Sequence, residues 1–194
     1  LIRVAGTLAG LEAIGRAART RLAPEARVIA VTGSAGKTGT KEMLRACFAS
    51  EGRTHASEKS FNNHWGVPLT LARLPREAAY GVFEIGMNHA GEITPLVAQV
   101  RPHVAIITTV APVHIGNFAS EDEIADAKAE ILSGVEPGGH AILNRDNQHY
   151  ERLAAAARQF GVAHTVGFGR HAGAEVRLER LVLHPTCSCI TANI

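Results

Sequence analysis

Residues 28–44 read VIAVTGSAGKTGTKEML. A short apolar run ends in a glycine-rich turn, and a helical pattern starts at once. Few folds accommodate that succession: a buried strand, a loop of small residues, and a helix whose first turn faces the strand end. The loop departs from the common phosphate-binding pattern G-x-x-x-x-G-K-[ST], because Val31 stands where its first glycine would be. The other parts are present. Gly33 and Gly36 permit positive φ and let backbone N–H groups approach phosphate oxygens with no Cβ in the way. The helix starting near Lys37 aims its positive dipole end at the same place. Lys37 offers a full charge to β and γ phosphates, and Thr38 offers a hydroxyl to Mg2+. The plainer reading is a glycine-rich turn with no ligand. Gly-Lys-Thr in an intact strand–loop–helix context weighs against it.

The rest of the chain alternates in the same way. Residues 3–22 carry Leu8, Leu11, Ile14 and Ala18 at helical spacing with arginines on the other side, and Pro24 interrupts. Lys37 to Ser50 predicts a helix with Met43, Leu44, Cys47 and Phe48 inward. Buried strands are expected at YGVFEIG (80–86), HVAIITTV (103–110), GHAILN (139–144) and AHTVGFG (163–169). Helical patterns fall at 66–73, 92–100, 121–135 and 148–160. Strands alternating with helices imply an α/β fold with a doubly wound, mostly parallel sheet. After residue 170 the pattern turns to period two, which predicts antiparallel strands at one sheet edge near the C-terminal end. The opening helix and the closing strand both read as cut from a longer protein.

Composition closes several routes. A net charge of +2, with no basic run interleaved with aromatics, argues against a nucleic-acid partner. No apolar run approaches the roughly 18–20 residues of a membrane span. The opening segment has arginines spread through it and no cleavage-type ending, unlike a signal peptide. Three cysteines make no disulfide framework, and a reducing cytoplasm is the simplest setting. Cys187 and Cys189 lack the partners a zinc site needs and read as ordinary strand thiols.

In a parallel sheet, ligands bind outside the carboxyl ends of the strands. Three of the expected strands deliver polar residues there: the TGSAGKT loop, Glu84 followed by GMNHAGE, and VAPVHIGNF with His114. Glu84 closes an apolar strand, where a carboxylate is costly unless a donor or cation meets it. Beside a nucleotide loop it suits Mg2+, which prefers hard oxygen ligands. Lys128 is unusual. The segment SEDEIADAKAEILSGV opens with a capping box, Ser120 to Glu123, and its inward face runs Ile124, Ala127, Ile131, Val135. Lys128 lies on or beside that face, where an ammonium must snorkel out, pair or change its charge.

Taken in order, the loop, FNNHWGVPLTLARLP, FEIGMNHAGEI, VHIGNF and DAKAEIL resemble the Mur ligase family. That family's loop reads T-G-[ST]-x-G-K-[ST], matched here by Thr32, Gly33, Ser34, Ala35, Gly36, Lys37 and Thr38, with Gly39 following. The oddity at Val31 therefore looks like a family variant. The likeness is best over about residues 28–160. It implies that residues 1–27 are the end of an N-terminal domain or linker, that 28–194 form a central ATP-binding domain, and that a C-terminal domain is absent. The asparagine pair and the E-[ILM]-G-x-N-x-x-G-E run resemble the members that add D-alanyl-D-alanine to UDP-MurNAc-tripeptide.

The resemblance implies a cytoplasmic, monomeric ligase working on those two small molecules. ATP would phosphorylate the tripeptide carboxylate, and the dipeptide amine would displace phosphate through a tetrahedral intermediate. Lys37 would neutralise the β and γ phosphates. Thr38 and Glu84 would hold one Mg2+, and His114 a second. Lys128 matches the family's carbamylated lysine, a cation turned into an anion that can face metal. Asn62, Asn63 and His89 would line the substrate side, and Asn144 and Asp146 would lie near the adenosine. This chain has His114-Ile115-Gly116 where the family often has His-Leu-Glu. Imidazole is also an unusual Mg2+ ligand, so that role for His114 rests on the resemblance. Two alternatives stay open: a folylpolyglutamate synthase-like ligase, and a P-loop ATP-binding module without ligation. The chain alone is expected to bind ATP weakly and not to catalyse, since a missing domain would have to close the site.

Overall fold

The computed structural model describes residues 3–113 and 115–194. In chain order the elements are α1 (Thr7–Thr20), β1 (Arg27–Thr32), α2 (Lys37–Ala49), β2 (Thr54–Ala56), α3 (Gly66–Ala72), β3 (Tyr80–Glu84), α4 (Ile93–Val100) and β4 (Val104–Ile107). Then follow α5 (Glu121–Ala129), β5 (His140–Asn144), α6 (Tyr150–Gln159), β6 (His164–Gly169), β7 (Val176–Leu183) and β8 (Ser188–Asn193). The strands form one sheet in the order β2-β3-β1-β4-β5-β6-β7-β8. Every described pairing is parallel except β7 with β8. The chain winds outward from β1 through β3 and β2 on one side and through β4 to β8 on the other. The carboxyl end of β1 thus sits at the reversal, where such sheets open a crevice.

The sheet's two faces are unequally covered. Val28 and Ala30 of β1 join the large core with Phe83, Ile107, Leu143 and the inward residues of α3 to α6. Ile29 and Val31 join a smaller cluster with Val82 and Ile106, against which Leu44 and Phe48 of α2 pack. Such burial on both faces is why β1 reads as an unbroken apolar run rather than an alternating one.

Four expectations are corrected. In α1, Ile14 is 54% exposed while Arg19 is buried. The contact line runs through Gly15, where an added Cβ would come within 3.2 Å of the Pro68 carbonyl oxygen in α3. That close approach turns Ile14 outward and brings Arg19 under α4, where Nε donates to the Val100 carbonyl at 2.8 Å. In α2, Met43 is 64% exposed and Cys47 is exposed too, because Leu44, Phe48 and Lys41 make the inward face. The helix expected over 121–135 is α-helical only to Ala129 and tightens into a 3-10 turn over Glu130–Gly134. Strand β2 was not expected, being three residues long. The antiparallel edge is present, though β7 itself joins β6 in parallel.

Candidate functional site

The loop between β1 and α2 is held open by its own backbone. Gly33 has φ +148° and Gly36 has φ +82°, conformations that side chains rarely adopt. A Cβ on Gly33 would overlap the Thr108 hydroxyl beyond β4. That hydroxyl donates to the Ala35 carbonyl at 2.5 Å, and the Ser34 hydroxyl donates to the Ala111 carbonyl at 2.9 Å, so the segment after β4 braces the loop. Gly36 caps α2 without any side-chain bond, and no acidic residue occupies the first turn. The first N–H groups of a helix have no acceptor within it. Here they and the positive dipole end are left for an anion. Lys37 Nζ folds back onto the Gly33 carbonyl at 2.8 Å. Around Gly39 there is open space, and the Thr32 hydroxyl is buried with no partner.

Glu84 ends β3 one strand over, only 1% exposed. One carboxylate oxygen accepts the Thr38 hydroxyl at 2.9 Å, and the other accepts the Asn62 amide at 2.8 Å. Its backbone N–H donates to the Ser57 hydroxyl at 3.1 Å. Among the described residues no lysine, arginine or histidine pairs with this carboxylate. A buried anion met by a hydroxyl and an amide keeps unused lone pairs and uncompensated charge. That donor set fits a hard cation that retains waters and phosphate oxygens. No group of three or more His, Cys, Asp and Glu side chains among the described residues is placed to hold a metal alone.

Lys128, in the last turn of α5, is 5% exposed. Its pKa is pushed down to about 8, by burial first and by the Lys37 ammonium second. At the start of the same helix one half of the capping box is present and the other is shifted by one residue. Glu123 N donates to the Ser120 hydroxyl at 3.2 Å, and the Glu123 carboxylate reaches back to the Ala119 N–H at 2.8 Å.

A cavity of about 670 Å³ opens beside the loop, lined by Lys37, Asn62, Asn63, Asn88 and Glu92 among others. Asn63 also fixes the start of α3, its side-chain oxygen accepting from Gly66 N at 2.9 Å. His89 does not line this cavity; it is exposed and meets Glu92 at 3.1 Å. Asn144 donates to the Thr108 carbonyl at 3.0 Å, which ties the end of β5 to the residue bracing the loop. Asp146 turns toward the β6–β7 connection and accepts from the backbone N–H groups of Arg170 at 2.8 Å and His171 at 2.7 Å. His114 lies outside the described residues.

The structure thus brings Lys37, Thr38, Glu84, Asn62 and Lys128 to one edge of the sheet. Sequence reasoning passed over Lys41, Ser57, Asn88 and Glu130. Lys41 lies one helical turn beyond Lys37, so i+4 spacing is the signal that points to it. Glu12, on α1, also reaches the cavity wall, and no local pattern marks it.

Residues 31–193 match the Mur ligase middle domain family. The UDP-N-acetylmuramoyl-tripeptide–D-alanyl-D-alanine ligase of Rickettsia prowazekii is 36% identical over 154 residues, covering 79% of this chain and 34% of that protein. The Escherichia coli protein of the same name is 44% identical over 134 residues, covering 69% of this chain and 30% of its own length. The chain therefore spans about a third of the length of these relatives. A crystal structure of MurF from Acinetobacter baumannii superposes with TM-score 0.89 at 34% identity, over 99% of this chain and 41% of that one. A MurF ligase from Thermotoga maritima in complex with ADP has TM-score 0.84 at 22% identity over 98% of this chain and 43% of that one, a likeness of fold. The chain belongs to the Mur ligase family through its middle domain.

Proposed function

We propose that this chain is the nucleotide-binding part of an ATP-dependent ligase that joins D-alanyl-D-alanine to UDP-MurNAc-tripeptide. The observation that carries the reading is the Thr38–Glu84 pair at 2.9 Å, set beside an uncapped helix start and the Lys37 ammonium. The names of the relatives at 36% and 44% identity support the choice of acceptor and substrate.

The loop N–H groups and Lys37 bind the β and γ phosphates and neutralise them as charge moves toward the leaving ADP. Thr38 and Glu84 would hold the nucleotide Mg2+, which would supply further charge neutralisation at the phosphates. The tripeptide carboxylate oxygen bonds to the γ-phosphorus as its bond to ADP breaks. The dipeptide amine then attacks the acyl carbon, phosphate leaves with the bonding pair, and the amine proton passes to solvent. Asn62 and Asn63 orient the substrate from the cavity wall. Asn144 and Asp146 mark the adenosine side. Lys128 serves as a carbamate. With a pKa near 8, about a tenth of it is neutral amine at pH 7, the form that adds CO2. The resulting anion would offset the Lys37 charge, and the resemblance to the family would give it, with His114, a second Mg2+ to hold.

Phosphate release by the full-length protein tests the reading. Release is expected only with UDP-MurNAc-tripeptide and D-alanyl-D-alanine together. Preference for glutamate over the dipeptide would move the chain to the folylpolyglutamate type. Turnover of ATP indifferent to any acceptor would make it a non-ligase ATPase.

A further inference from the structure

We propose that Lys41 is a positioning residue for the Glu84 carboxylate, acting through the 57–62 segment. The proposal rests on the magnesium role given to Glu84 above. Lys41 is 0% exposed, which is rare for lysine. Its ammonium has three N–H donors, and three acceptors meet them: the Ser57 carbonyl at 2.8 Å, the Lys59 carbonyl at 2.9 Å and the Glu42 carboxylate at 2.8 Å. Two of the three lie on one short segment. Lys59 there has φ +48°, a left-handed conformation that a side chain disfavours. The bond to its carbonyl holds that turn in place.

The same segment meets Glu84 at two points and Gly86, two residues on, at a third. The Ser57 hydroxyl accepts from Glu84 N at 3.1 Å. The Asn62 amide donates to Glu84 Oε1 at 2.8 Å. The Asn62 carbonyl accepts from Gly86 N at 2.8 Å, just past the end of β3. A Cβ on Gly86 would come within 2.9 Å of the Asn62 side chain, so the two strands of chain lie close along this line. Lys41 and Thr38 sit on one helix, α2. The helix that presents the hydroxyl to Glu84 therefore also grips the segment that aims the carboxylate.

The test measures binding of a fluorescent ATP analogue to the full-length protein, with Mg2+ and with a chelator. Wild type is expected to gain affinity from Mg2+. Lys41→Met keeps the volume but donates nothing. It is expected to lose about tenfold or more of that gain, as second-sphere changes at metal sites do, while its metal-free affinity stays at the wild-type level. Adding Lys59→Gly, which relaxes the left-handed turn, is expected to restore part of the gain. A Lys41→Met protein with the full Mg2+ gain would overturn the proposal. Should that variant fail to fold, Ser57→Ala decides, and an unchanged Mg2+ gain there overturns it equally. A wild type with no Mg2+ gain would instead sink the role given to Glu84, and this inference with it.

Discussion

Lys128 sits close enough to Lys37 for the two ammonium groups to oppose each other, and burial adds to the cost of charging Lys128. Its pKa falls from 10.5 to about 8 in the folded chain. Between those values the unfolded chain binds the proton that the folded chain has lost. Stability therefore rises as pH climbs from 8 to 10.5 and is lowest below 8, where both states are charged. The penalty at neutral pH is about 3 kcal/mol. In protein kept free of CO2, so that Lys128 is the unmodified amine, Lys128→Met is expected to raise the melting temperature at pH 7, with the advantage shrinking as pH rises toward 10.5. The same variant should lose ligase turnover. Thermal melts across pH, beside phosphate release, check both halves. A variant less stable than wild type at pH 7 would contradict the sign.

Glu84→Gln tests the anion itself. Glutamine keeps the shape but replaces one acceptor oxygen with an amide that must face either the Thr38 hydroxyl or the Asn62 amide, both now donating to Glu84. Nucleotide affinity without metal is expected to hold, since Lys37 and the loop are untouched. The Mg2+-dependent part should fall by about 10–100-fold. Calorimetric titration of ATP with and without Mg2+ reads both, and an undiminished Mg2+ effect would remove Glu84 from the metal site.

Legibility in the sequence follows what each residue contributes. Lys37, Thr38, Glu84 and Lys128 act through side chains whose chemistry is unusual for their position, and the residue type alone raises the question. The 57–62 segment is different. It acts through two carbonyls, a serine hydroxyl and a left-handed turn at Lys59, and none of these has a signature in residue letters. β1, β3 and β4 were readable because burial on both faces leaves continuous apolar runs. Helix faces were less so: one glycine contact rotates α1, and a lysine takes the place that periodicity assigns to Met43 or Cys47 in α2.

Gly33→Ala should injure both fold and site. The alanine Cβ meets the Thr108 hydroxyl, and φ +148° is costly for any side chain. Strain and overpacking together are expected to cost about 2–4 kcal/mol. Denaturant melts give the loss. Thr108→Ala removes the obstacle but not the backbone strain, so the double variant should recover only part of it. Full recovery would mean that sterics alone hold the glycine at 33.

His103 predicts an acid limit. Its Nδ1 accepts the Val28 N–H at 2.9 Å, which requires the neutral ring. Burial first, then the Arg19 and Arg27 charges, hold its pKa below 6.5. The stability this provides is complete above pH 6.5 and drains away as pH falls toward the lower folded value. His103→Asn removes the titration and should flatten the melting temperature below pH 6.5, relative to wild type. An unchanged slope would assign the acid sensitivity elsewhere.

Glu130 ties the helix of Lys128 to the cavity wall. Its carboxylate accepts the N–H groups of Gly91 at 2.5 Å, Ile93 at 3.1 Å and Thr94 at 3.0 Å, together with the Thr94 hydroxyl at 3.0 Å. These are the donors at the start of α4, where no side chain of α4's own cap residue serves. An anion is well suited to that end of a helix. Glu130→Ala leaves the donors to water and should cost about 2 kcal/mol, a lost cap with charge-assisted bonds. Asn88, Gly91 and Glu92 line the cavity, so their loosening should raise KM for the tripeptide substrate several-fold and leave KM for ATP near the wild-type value. Glu130→Gln retains one acceptor oxygen without the charge and should fall between wild type and Glu130→Ala. Steady-state kinetics on the full-length protein separates the outcomes. Equal rises in both KM values would show that the bond network serves the whole domain and has no special hold on the cavity.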